Sequence, residues 1–445
     1  MAWVILGHTY VWLNFQLLRG PNLIVKWFND WHFEAILNAW LSVEPFFFLS
    51  GLLTSYAAMK LMPKTKGKIN VPLYIFRRYL RLTPPLLLVI GLAYFMPLVS
   101  SGPFWYERVD PELRACSAYW WRSLLYISNW TGIKSICVHP TWYLSADFQL
   151  HVVSIVVLYA LYRSPKLGFA LIAALVSMCS VATGVITYLW DLPPTIQISS
   201  GNNGKIEQTI DVVHMRTFTH AGPYYVGIVA GYLLVKYKDV KLGMLTNVVG
   251  WCLSIVISIS SLYGAHRWNI GEPHGPLLTA VFAALHRTTF TIGVAWVAFA
   301  CVTGHGGPVN KFLSSSLLAP VSRLTFMIYL MHSLVIWVRM ASLRERINYS
   351  HYNLLYEYMG NIIVSLLLTM PFYLLLEAPL SNLERLAFSR RAPEKKEGDG
   401  TNGHLQTNEL NKISEIPKAG IDFAPSSVEL TAVKCLVFEN NGFVK

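Results

Sequence analysis

Charge is scarce in this chain. Asp, Glu, Lys and Arg together make up 13% of its 445 residues, while apolar residues make up 54%. A soluble domain carries about 25% charged residues, so the composition excludes an ordinary soluble enzyme and implies a polytopic membrane protein. Acids are scarcer than bases, 24 against 36, for a formal net charge of +12. The segment from Leu386 onward holds eight of each, so the basic excess lies in short loops between apolar runs. That is a topology signal, and it excludes the broad basic face of a nucleic-acid-binding protein. Cysteine is sparse too: six residues, no CxxC pair and no metal-ligand spacing, so no metal centre is expected. A P-loop, a GxSxG nucleophile elbow and an HExxH zinc motif are all missing. The start, MAWVILGHTYVWLNF, has neither a basic opening nor a small-residue cleavage site, so no cleavable signal peptide is expected. It is also short for a complete span, and the expectation is a chain that begins inside its first helix.

What is present is a series of apolar runs near the length of about 20 residues that a span needs. They fall at roughly 1–18, 36–60, 73–99, 141–162, 166–189, 221–237, 243–264, 277–303, 320–343 and 360–386. The expected fold is therefore all-α and polytopic, with about ten transmembrane helices. The hairpin after the second run carries Lys60, Lys64, Lys66, Lys68, Arg77, Arg78 and Arg81 with no acid among them, which marks that side as cytoplasmic. Counting outward puts both termini inside. The loops near 100–139, 190–220, 265–276 and 344–359 then lie outside. Both glycosylation sequons, at Asn129 and Asn348, fall on the outer side. So do Cys116 and Cys137, which are expected to form a disulfide there. Residues 1–386 read as one membrane domain, and 387–445, polar and without period, as a disordered cytoplasmic tail.

Ionisable residues inside the apolar runs are the candidates for function, because each is costly in lipid. From a rise of about 1.5 Å per residue, His8 lies roughly 15 Å and Glu44 roughly 12 Å below the outer surface. At similar depth on neighbouring helices, the two would form a His–carboxylate pair that orients the imidazole. The plain alternative is a His8 bonded to a backbone carbonyl and a packed structural acid. Arg78 and Arg81 share a helix face and offer the donor fork that suits phosphate, or else simply anchor the helix end. Pro84 and Pro85 behind them would open the helix. Asp147 with Gln149, and His139 and His151 nearby, outlines an outer polar pocket that His220 would join. His332, about 18 Å from the inner end of its run, either joins the pocket or makes an interhelical hydrogen bond. Glu377 has a helix-end role.

Several segments occur in an order that resembles a known family: GHTY around His8, SVEPFFFLSGLL, FRRYLRLTPP, HPTWYLSADFQ, AGPYYVGIVAGYLL and SRLTFMIYLMHSLVIW. Together they resemble the acyltransferase-3 superfamily, in its animal nose-resistant-to-fluoxetine-like branch, over about residues 1–386. The resemblance implies a multi-pass O-acyltransferase that moves an acyl group from acyl-CoA to a hydroxyl on a carbohydrate, lipid or small molecule. It implies His8 as the catalytic histidine, Arg78 and Arg81 at the donor, and Asp147 and Gln149 in the positions of the family's acid and glutamine. Glu44 would orient His8. The family's basic residue about three turns before the histidine would fall upstream of Met1, as would its Cys-rich outer domain, and the family often has Arg where His220 stands. The alternative function is a transporter of lipids or hydrophobic small molecules on the same fold, without catalysis. The expected partners are membrane lipids, acyl-CoA and the acceptor, and the expected location is the endoplasmic reticulum or plasma membrane.

Overall fold

The computed structural model describes residues 1–12, 18–19, 26–198, 202–273, 275–348 and 350–388. The tail expected at 387–445 lies outside these residues apart from its first two. The protein is an all-α polytopic membrane protein. Its main helices are α1 (Ala2–Val11), α2 (Glu44–Leu61), α3 (Val71–Val99), α4 (Asp110–Leu124), α5 (Thr141–Arg163) and α6 (Pro165–Leu189). They continue with α7 (Ala221–Lys236), α8 (Met244–Tyr263), α9 (Pro276–Val302), α10 (Leu318–Ala341), α11 (His351–Phe372) and α12 (Ala378–Phe388). The only strands among the described residues are a two-residue parallel bridge, β1 (Leu18–Arg19) with β2 (Ile347–Asn348).

Each of the ten apolar runs contains a helix. Among the described residues, seven helices are long and apolar enough to cross a membrane, and a pair, Trp31–Leu37 and Ala39–Leu61, bent by 46°, passes the same measure when its two helices are taken together. The other two, α1 with 10 residues and α7 with 16, are shorter than a full span. A short helix can stay in the bilayer if protein rather than lipid surrounds its ends. That is the situation of α7, which is buried along most of its length, whereas α6 and α8 turn mostly to the outside.

Small residues set how closely α7 approaches α2. A Cβ on Gly51 would collide with the backbone carbonyl of Tyr224, and one on Gly227 with that of Phe48. Helix association in lipid relies on such close backbone contact, because tails are as apolar as the side chains they would displace. Helix α3 is capped by Asn70, whose side chain accepts from the Leu73 amide, and it runs unbroken through Pro84, Pro85 and Pro97. The expected opening of the helix at Pro84 and Pro85 does not occur. Each proline removes one amide donor, and neighbouring helices let a buried span absorb that loss.

Candidate functional site

Helix α1, the bend before α2, the start of α4 and the segment leading into α5 enclose a chamber of about 400 Å³. His8 lines it, together with Trp12, Trp40, Glu112, His139 and His214. Its remaining wall includes residues of the loops around 100–139 and 190–220, such as Arg108, Lys134 and Ile198. These are the loops that the positive-inside count assigns to the outer side. Glu44, Arg78 and Arg81 do not line the chamber.

Two histidines from distant parts of the sequence meet at the chamber wall. His8 Nδ1 lies 2.9 Å from His332 Nε2, and His332 Nδ1 lies 3.1 Å from the Ile328 carbonyl oxygen. A carbonyl only accepts, so His332 carries its hydrogen on Nδ1 and presents a lone pair at Nε2. His8 must then donate from Nδ1, which leaves Nε2 as its acceptor atom. The ring is held flat against Trp12, with centroids 3.9 Å apart. Neutral His8 is thus fixed in the tautomer a general base needs, with the backbone of α10 setting that choice through His332. The nearby Tyr329 hydroxyl is spent on the Pro140 carbonyl, at 3.0 Å.

Glu44 does not orient His8. The span bends ahead of α2, and the Glu44 carboxylate turns toward α7 and α9. There it meets His220 Nδ1 at 3.0 Å and Arg287 Nε at 3.2 Å, with both Glu44 and His220 fully buried. His220 Nε2 donates to the His214 carbonyl at 2.7 Å, so the contact between Nδ1 and the carboxylate must hold a second proton. This cluster neutralises a buried anion and ties three helices together. His220 is a member of it and does not line the chamber. Arg287 was missed in the sequence, although a lone arginine in the middle of PLLTAVFAALHRTTFTIG is the charge partner that a buried Glu44 calls for.

Arg78 and Asp147 form a second buried ion pair, and the Arg78 guanidinium also donates to Ser50 Oγ at 2.8 Å. The two residues were expected at opposite mouths. Arg78 lies near the start of α3 and Asp147 near the start of α5, and the length of the arginine side chain joins them. The pair neutralises the charge of both, and neither residue lines the chamber. Gln149 is equally committed. It donates to the Tyr126 carbonyl at 2.7 Å and to Asn129 Oδ1 at 2.9 Å, and it accepts from Trp130 and Thr217. Asn129 is fully buried, and its amide nitrogen donates to Met215 and Thr217. The folded protein leaves no room for a glycan there. Asn348 is exposed.

The outer wall is fastened covalently and carries strain. Cys116 of α4 is bonded to Cys137. The next residue, Val138, is buried at φ 60°, a region that a β-branched side chain almost never adopts. Strain of this kind persists where the surroundings enforce it and it serves a site; here it turns the chain so that His139 lines the chamber. A π-helical turn, Ile210–His214, supplies the facing wall. Burial pushes the His139 imidazole down to about 4 and the His214 imidazole down as well, with the Arg287 guanidinium adding to the latter. Burial alone pushes the Glu112 carboxyl up from 4.5 to about 8. Among the described residues no group of His, Cys, Asp and Glu is arranged to hold a metal ion.

Residues 1–377 match the family model described as an acyltransferase domain. The chain is 31% identical to "Nose resistant to fluoxetine protein 6" of Caenorhabditis elegans, over 93% of this chain and 53% of that protein. It is 24% identical to "Regulator of hypoxia-inducible factor 1" of the same organism, over 86% of this chain and 78% of that protein. The chain thus spans about half the length of the first of these relatives. No solved structure matches.

Proposed function

The chain belongs to the acyltransferase-3 family, and we propose that it is an O-acyltransferase of the bilayer, moving an acyl group from acyl-CoA to a hydroxyl acceptor with His8 as general base. The observation that carries this reading is the hydrogen-bond chain Ile328–His332–His8, which leaves the His8 lone pair on Nε2 in a residue that lines a chamber. In the proposed step, Nε2 takes the proton of the acceptor hydroxyl as its oxygen attacks the thioester carbonyl. The tetrahedral intermediate collapses with cleavage of the carbon–sulfur bond, and the leaving thiolate recovers the proton from the His8 imidazolium. Positioned proton transfer of this kind contributes about 10²–10⁴ in rate.

His332 is a positioning residue in this scheme, and Glu44 and Asp147 hold helices together. Arg81 and the exposed lysines of the basic hairpin, Lys60, Lys64, Lys66 and Lys68, are proposed to meet the donor's phosphates on the cytoplasmic side, while the acceptor enters the chamber from the outer side. The disulfide at the outer wall suits an oxidising compartment, consistent with the endoplasmic reticulum or plasma membrane.

The test is transfer of label from acetyl-, butyryl- and palmitoyl-CoA into extractable ester by membranes that contain the protein. The expected result is loss of transfer in His8→Ala at unchanged expression and topology. Transfer at the wild-type rate by His8→Ala overturns the mechanism. Uptake of hydrophobic compounds that survives His8→Ala, with no transfer from any donor, points to transport instead.

A further inference from the structure

Three polar atoms of the chamber lining are buried with no hydrogen-bond partner among the described residues: Glu112 Oε2, Trp40 Nε1 and His214 Nδ1. Buried polar atoms are nearly always paired, so each orphan calls for an explanation. Three orphans at one chamber share an explanation, which is a ligand that brings its own hydrogen-bonding group. The rest of the wall says what that ligand is made of. Apart from a few polar groups, it is built of aromatic and branched aliphatic side chains, among them Trp12, Trp142, Trp337, Ile133 and Ile198. Its polar groups are spread around a mainly apolar wall, and a hydroxyl left facing that apolar surface would be costly. An apolar body with two polar ends fits both the volume and the lining.

We infer that the chamber is the acceptor subsite, taking a mainly apolar alcohol whose reacting hydroxyl meets His8 and whose second hydrogen-bonding group meets the Glu112 carboxyl. This rests on the reading of His8 as base, and it names the acceptor class for that same site. Glu112 suits the role because no hydrogen bond or ion pair engages its Oε2 among the described residues. The two cations at the rim do not claim it: Lys134 is paired with Glu207 at 2.7 Å, and no ion pair joins Arg108 to Glu112 among the described residues. A carboxyl kept protonated by burial both donates and accepts, so it pairs with a neutral hydroxyl or amide without leaving a buried charge. Its place in the first turn of α4, next to the disulfide-tied Cys116, holds it to the wall.

The experiment measures binding and transfer separately on the full chain in lipid nanodiscs. Tritiated α,ω-alkanediols from hexanediol to dodecanediol are compared with the matching mono-alcohols and amino-alcohols, with empty nanodiscs as the partition control. One hydrogen bond to a buried carboxyl is expected to make the best diol bind about tenfold more tightly than its mono-alcohol. Glu112→Leu is expected to bring the ratio of diol to mono-alcohol affinity down to about one, and Glu112→Gln, a neutral donor and acceptor, to keep the wild-type ratio. Equal binding of diol and mono-alcohol by the wild type overturns the proposal without reference to any variant. So does an amino-alcohol that outbinds the diol in the wild type but not in Glu112→Gln, because the site would then be one for a cation. Glu112-dependent binding of the diol with no acyl transfer from any donor leaves the subsite standing and removes the transferase. Transfer to the diol that ignores Glu112 does the reverse.

Discussion

Replacing His332 tests whether a histidine that touches no substrate sets the chemistry of one that does. In the native fold His8 donates from Nδ1 to His332 Nε2 at 2.9 Å, and His332 is held by the Ile328 carbonyl at 3.1 Å. In His332→Ala the His8 Nδ1–H faces an emptied site. A buried donor without an acceptor costs about 1–3 kcal/mol, which His8 escapes by moving its hydrogen to Nε2 or by turning the ring. Either change removes the base from the chamber. At about 1.4 kcal/mol per tenfold, the expected loss is about 10- to 100-fold in kcat, at an unchanged KM for the donor. Removal of His8 itself costs about 10²–10⁴, so the two losses should rank in that order. His332→Gln places an amide oxygen where Nε2 was and should recover part of the rate, which a merely structural role would not yield. Transfer in membranes with saturating labelled acyl-CoA gives these rates, and folded yield is followed in parallel. Wild-type kcat in His332→Ala, or no recovery in His332→Gln at equal yield, refutes the tautomer argument.

Glu44→Gln leaves the Arg287 guanidinium buried without its anion, and breaking a buried pair costs about 3–5 kcal/mol. The detergent-solubilised variant should melt earlier, yet the pH profile of its remaining activity should match wild type, because Glu44 does not contact His8; a displaced profile would restore the His8–Glu44 pair. Glu112 gives a pH signature: between its ordinary 4.5 and about 8, the folded state holds a proton that the unfolded state has lost, so stability falls as pH rises. His139, with its imidazole at about 4, acts oppositely but only below about 6.5. From pH 6.5 to 8 the melting temperature of wild type should therefore fall relative to that of Glu112→Gln, and parallel curves would place Glu112 in water. Endoglycosidase treatment of protein made in a secretory system should give a mobility shift that Asn348→Gln abolishes and Asn129→Gln leaves intact, and the converse would mean that the burial of Asn129 is wrong.

The membrane fold was legible because hydrophobicity and helix length act locally: every apolar run long enough to cross lipid became a helix whatever its neighbours. His8 stood out for the same kind of reason, as an ionisable side chain where none is cheap. What could not be read was which ionisable groups touch. Equal depth proposed Glu44 for His8, but depth fixes only one coordinate. The 46° bend and the glycine-lined approach of α7 to α2 fixed the others, and they gave Glu44 to His220 and Arg287. Arg78 and Asp147, read as residues of opposite mouths, met because an arginine side chain spans the gap between two packed helices. Glu112 carried no signal in DPELRACSAYWW, where an acid in the first turn of a helix is ordinary. Only the closing of the outer wall over it, by a disulfide and a strained valine, made it a buried carboxyl facing a chamber. The sequence by itself determined the medium, the helices and the cost of each charge; the packing of those helices decided how each cost is offset and which partner orients the His8 imidazole.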